Sequence, residues 1–166
     1  MYFGLSEEQQ SLEDNIKKYL EDNASLDTIK EVAGGDSAKA ENIHKGLVEL
    51  GISGLMVPEQ YGGLELDMLF ASVVSGALGA GTAPVAYAGA YVMAPMALSL
   101  GGSESQKETW LPKIAGGEAV VGIGISEYVG AREDAAITFS NESISGRCLF
   151  VIDAKNADAY ILANKA

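Results

Sequence analysis

The stretch Trp110-Leu111-Pro112-Lys113-Ile114-Ala115-Gly116-Gly117-Glu118, continuing into Ala119-Val120-Val121-Gly122-Ile123-Gly124-Ile125-Ser126, decides the fold. Up to Gly117 the apolar residues recur at helical spacing. After it, Val121, Ile123 and Ile125 fall on alternate positions, the period of a strand. Working upstream, Ser103-Glu104-Ser105-Gln106 is a capping box, which predicts a short helix ending near Leu111-Pro112. Pro84 is placed to open a longer helix reaching about Leu100, kinked by Pro95 and stopped by Gly101-Gly102. Asp67 is expected to cap a helix running to Leu78.

Further back, Ile52 to Val57 is a short apolar segment followed by a glycine-rich turn at Glu59-Gln60-Tyr61-Gly62-Gly63. A helix is predicted from Ser37 to Leu50, with Ile43, Leu47 and Leu50 facing inward. Leu26, Ile29 and Val32 mark a short one closed by Gly34-Gly35. The first helix starts at a second capping box, Ser6-Glu7-Glu8-Gln9, with Leu12, Ile16, Tyr19 and Leu20 as its apolar stripe. Downstream of Gly117, Ala136 to Ser140, Ile144 to Val151 and Ala159 to Ala163 read as strands. Helices first and strands second give an α+β chain. It comprises an all-α bundle over 1–117 and an incomplete β-barrel or sheet unit over 118–166, too small to close on itself.

Charge and cysteine use narrow the function. Across 166 residues the formal charge is −12, and no Lys or Arg lies between Gly46 and Gln106, so nucleic-acid binding is excluded. The single cysteine, Cys148, allows no intrachain disulfide or thiolate metal cluster and reads as a small core hydrophobe. His44 stands alone in a helical pattern with no nucleophile motif beside it, so it reads as a surface or cap residue. No signal peptide is visible at Met1-Tyr2-Phe3-Gly4, and a cytoplasmic setting is the default. The uncharged run from Met68 to Ser103 is long enough to span a bilayer, but its glycines, its prolines and its acidic flanks favour two buried helices over membrane insertion. Tyr91, Met93 and Met96 read as core residues.

Several segments resemble the acyl-CoA dehydrogenase family in order and spacing. Leu5-Ser6-Glu7-Glu8-Gln9 resembles its first helix, Val57-Pro58-Glu59-Gln60-Tyr61-Gly62-Gly63 its V-P-E-x-Y-G-G loop, and Trp110 to Glu118 its link between helical and β domains. Ile125-Ser126-Glu127 is similar to its hydrophobic-(Ser/Thr)-Glu signature, and Ile144-Ser145-Gly146, Phe150 and Asp158 to Ala163 to the strands that follow. The resemblance implies FAD-dependent removal of hydrogens from the α and β carbons of an acyl-CoA, within lipid degradation. It further implies an electron-transfer acceptor and homo- or hetero-oligomeric assembly. Carried over, Ile125 and Ser126 meet the flavin ring, Phe150 flanks it, and Ile152 lies near its N5 edge. Ala131 and Arg132 lie where the acyl-CoA or flavin phosphates pass, Arg132 pairing with a phosphate or serving as a surface charge.

The signature departs from the family pattern. Ala131 replaces a glycine, Arg132 a small hydroxyl residue and Glu133 an aspartate, while Phe150-Val151-Ile152 stands in place of Trp-Ile-Thr. The family's catalytic glutamate lies in a second helical bundle, so no catalytic residue is expected in this chain. Two other readings remain: a non-catalytic partner subunit of a heteromeric dehydrogenase, and a helical interaction module.

Overall fold

The computed structural model describes residues 4–125, 136–140 and 142–163. Helices α1 (Glu7–Asn23), α2 (Leu26–Ala33), α3 (Ser37–Glu49), α4 (Met68–Ala80), α5 (Ala94–Gly101) and α6 (Glu104–Ala115) precede strands β1 (Val121–Gly124), β2 (Ala136–Ser140), β3 (Ser143–Arg147) and β4 (Ala159–Leu162). The protein is α+β.

Helix starts follow the side chains that satisfy their free amides. Ser6 and Ser103 both close full capping boxes, Gln9 and Gln106 reaching back to the cap amides at 3.0 and 2.9 Å. Asp67 accepts from Leu69 and Phe70 at 2.9 and 3.2 Å and starts α4, as expected. Ser25 and Asp36 cap α2 and α3 in the same manner. The apolar stripes then meet: Ile16 and Leu20 of α1, Ile43 and Leu47 of α3, Val74, Ala77 and Leu78 of α4, and Leu111 and Ile114 of α6 form one buried core.

The segment between α3 and α4 belongs to that core. Ile52, Leu55 and Val57 are fully or nearly fully buried, and the buried Ser53 hydroxyl donates to the Ala115 carbonyl at 2.8 Å, fastening the segment to the end of α6. The glycine pair that ends it has two separate causes. Gly62 sits at φ +84, and a Cβ on Gly63 would fall 2.0 Å from the Val57 carbonyl oxygen, so no other residue fits there.

Three sequence expectations are corrected. Pro84 opens no helix: Thr82 is left-handed at φ +52, and the chain stays irregular until a turn of π-helix over Ala88–Met93. Before that turn, the Tyr87 ring is buried and its hydroxyl donates to Ala71 of α4 at 3.1 Å, anchoring the irregular stretch. Pro95 does not kink one long helix; it occupies the first turn of α5, directly after the π-turn. Without an N–H it cannot bond back, and the turn ahead of it is widened. Helix α6 runs past Pro112 to Ala115, because burial of Leu111 and Ile114 on either side outweighs one missing hydrogen bond.

The strand expectation for Ile144 to Val151 also divides. β3 ends at Arg147 and pairs antiparallel with β2, Phe139 opposite Ile144. Ile152 instead makes an isolated antiparallel bridge to Ile123 of β1. β1 pairs in parallel with β4, Val121 opposite Ala159 through Gly124 opposite Leu162. β1 therefore lies between β4 and the 150–152 segment, with Val121 and Ile123 buried against the helices.

Candidate functional site

β1 leads into Ile125 and is bonded to Ile152, two of the residues singled out in the sequence. Ile152 donates to the Ile123 carbonyl at 2.8 Å and accepts from its amide at 3.0 Å. The pairing is a single isolated bridge: Phe150, two residues before Ile152, adopts a left-handed backbone at φ +54 and is 78% exposed. A bulky apolar residue at positive φ and in solvent is costly on both counts. Ile125 is half-buried against the core and Ile152 half-buried beside it. Ser126, Ala131 and Arg132 lie outside the described residues, as do Glu127 and Glu133.

The glycines of β1 shape this platform. A Cβ on Gly122 would meet the Tyr160 ring at 2.8 Å, and one on Gly124 would meet Cys148 Sγ at 2.6 Å and Leu162 at 2.7 Å. Glycine lets side chains from both neighbouring segments close over the strand. Cys148 is half-buried, consistent with packing as a small hydrophobe.

Directly after Ile152, Asp153 reaches into the helical unit. Its carboxylate oxygen Oδ2 accepts from the amides of Gly89 and Ala90 at 2.7 and 3.0 Å, capping the π-turn. Asp153 also borders a half-open cleft of about 1220 Å³ between α2, α3, the end of α4 and the 82–88 segment, with Asp36, His44 and Lys155 along its walls. Neither Met93, Met96 nor Tyr91 lines this cleft.

Tyr91 is fully buried and shares a hydrogen bond of 2.5 Å with His44 Nε2, the two rings stacked at 5.9 Å. His44 is therefore no surface or cap residue. Burial pushes its pKa below the ordinary value, with Glu41 pulling weakly the other way. Burial likewise pushes the Tyr91 hydroxyl up to about 12, the charge of Asp153 adding to it.

Sequence reasoning missed the Asp153 cap and the His44–Tyr91 pair. Asp153 read as one member of a polar separator between strands. The one available signal was Tyr91 itself, a phenol in an uncharged run, which needs a partner once buried.

A helical unit whose last helix leads directly into a buried strand is an α+β architecture with the bundle first and the sheet after it. A family model for the acyl-CoA dehydrogenase N-terminal domain matches residues 6–118, and the chain belongs to that family. It is 26% identical over 175 residues to mitochondrial isovaleryl-CoA dehydrogenase from Pongo abelii, covering 98% of this chain but 40% of that protein. The acyl-CoA dehydrogenase complexed with FAD from Bacillus anthracis superposes with a TM-score of 0.79 at 21% identity, covering 97% of this chain and 29% of the other. The ChsE4–ChsE5 complex from Mycobacterium tuberculosis gives 0.75 at 18% identity, covering 100% and 44%. At these identities the structural likenesses speak for the fold. Among the described residues, no helix is long and apolar enough to cross a membrane.

Proposed function

We propose that this chain is the amino-terminal part of an FAD-dependent acyl-CoA dehydrogenase that removes the α and β hydrogens of an acyl-CoA thioester. The observation that supports the reading is the Ile123–Ile152 bridge, which ties the segment carrying exposed Phe150 to the buried strand that leads into Ile125. An apolar edge with one projecting aromatic suits a planar heteroaromatic ring. FAD, when bound, supplies the hydride acceptor. The chain's own contribution is placement: Ile125 and Ser126 against the ring, Phe150 beside it, Ile152 near the reacting edge. Ala131 and Arg132 face the phosphates of flavin or acyl-CoA. The proton-abstracting base would come from outside residues 1–166, and an electron-transfer acceptor would take the electrons that bound flavin supplies, in a cytoplasmic setting. The helical unit 1–117 packs against the first strand of the 118–166 unit, whose outer segments present surface.

Titration of the purified chain with FAD, followed by quenching of flavin fluorescence, tests the assignment. The expected outcome is saturable binding that Phe150→Ala weakens up to about tenfold, the scale of one lost aromatic contact. Absence of saturable binding, or unchanged affinity in the variant, removes Phe150 from the site.

A second reading, a non-catalytic partner subunit, is favoured by one specific feature. Ala131, Arg132 and Glu133 replace the residues that the family pattern has in its signature. A chain that binds flavin only when co-expressed with a second dehydrogenase subunit would fit this reading and displace the first.

A further inference from the structure

We infer that Asp153 is a positioning residue, whose carboxylate clamps the Phe150–Ile152 segment to the helical unit; its bearing on flavin rests on the function proposed above. The segment is gripped on two sides. On one, both backbone polar groups of Ile152 are spent on Ile123 of β1. On the other, a single oxygen of Asp153 takes the Gly89 and Ala90 amides at 2.7 and 3.0 Å. Those amides open a π-turn, where no earlier carbonyl is in reach, so an external acceptor is needed. A carboxylate satisfies both and sits favourably at the positive end of the turn.

The backbone beside the clamp turns sharply. Phe150, Asp153 and Asn156 lie at φ +54, +53 and +61. Asp and Asn adopt this left-handed conformation readily, whereas a bulky Phe holds it only where its surroundings fix it. The fit is also close. A Cβ on Gly89 would lie 2.9 Å from Asp153 Oδ2, 3.0 Å from Ile152 Cγ2 and 3.1 Å from the Ile152 carbonyl oxygen. Two residues beyond Gly89, Tyr91 bonds His44 of α3, so the grip continues into the bundle.

Asparagine keeps a side-chain oxygen for the two amides, whereas alanine keeps none. Hydrogen exchange by NMR on the full chain separates the cases. In Asp153→Ala, exchange at Gly89, Ala90 and Ile152 should accelerate at least tenfold while Ile16 and Leu47 keep their rates, and Asp153→Asn should restore the wild-type pattern. Gly89→Ala, which crowds the same contact from the helical side, should speed exchange at Ile152 too, and it decides the matter if Asp153→Ala fails to fold. FAD titration of the same proteins should show weaker binding in Asp153→Ala and recovery in Asp153→Asn. Unchanged exchange at Ile152 in both Asp153→Ala and Gly89→Ala overturns the clamp. Lack of FAD binding by the wild-type chain defeats the flavin reading, and the exchange data still decide the clamp.

Discussion

The helical unit and the β2–β3 hairpin treat their apolar side chains in opposite ways. In the helices, Ile16, Leu47, Leu111 and Ile114 are fully buried, and capping side chains close the helix starts. In the hairpin, Phe139 and Ile144 face each other across the strands yet remain 64% and 61% exposed, and Ile137 alone of the strands' large hydrophobics is buried. Between these extremes lies β1, buried along its length and bonded to both β4 and Ile152. Stability resides in the helices and β1, while the outer strands offer surface.

The largest break in this comparison is expected from the helical side. Leu47→Ala leaves a cavity in the fully buried common core of the helices, and buried leucine truncations cost about 2–5 kcal/mol. Denaturant unfolding followed by circular dichroism should show that loss as a lowered midpoint. A change below about 1 kcal/mol would mean that the core relaxes around the gap.

A smaller effect is expected at the His44–Tyr91 contact and appears as a pH dependence. Burial lowers the His44 pKa from 6.5, so the folded state binds its proton less tightly than the unfolded chain does. The stabilising contribution of the neutral ring is complete above the unfolded value and is lost as pH falls below about 6.5 toward the folded one. With the Tyr91 hydroxyl kept protonated by burial, the neutral imidazole can accept its hydrogen at Nε2. His44→Gln should flatten the stability decline on acidification, read as unfolding midpoints from about pH 8 to pH 5. A decline of the same steepness in His44→Gln would assign it to carboxylates instead.

How much of this was legible in the sequence depended on whether the determining interaction was local. Ser6, Asp67 and Ser103 announced their helices because a cap acts on amides two or three residues away. Gly62 and Gly63 marked a turn for the same reason. Pro84 and Pro95 misled, because what fixes the chain there is distant: Tyr87 bonds α4, and Asp153, 64 residues from Gly89, caps the π-turn. The β side followed the same rule. Ala136 to Ser140 was legible as a strand from alternation, whereas the division of Ile144 to Val151 depended on Ile152 finding β1. Of the candidate site, Ile125, Phe150 and Ile152 came from motif resemblance, and the pairing of Ile152 with β1 emerged only from that long-range bridge.

The smallest effect on stability is expected at the hairpin, and there a near-null result is informative. Phe139 and Ile144 are direct cross-strand partners, and such a pair contributes about 0.2–1 kcal/mol to a sheet. Replacing both by threonine puts residues of good strand propensity at both positions and removes an apolar patch from solvent. The helical unfolding midpoint should therefore stay within about 1 kcal/mol of wild type. Light scattering at rising concentration should meanwhile show less self-association, because an exposed apolar strand pair is a template for edge-to-edge pairing. If the double variant instead lowered the helical midpoint as far as Leu47→Ala does, the hairpin would belong to the same cooperative unit as the bundle, and the division between a stable helical body and a presenting β surface would fail.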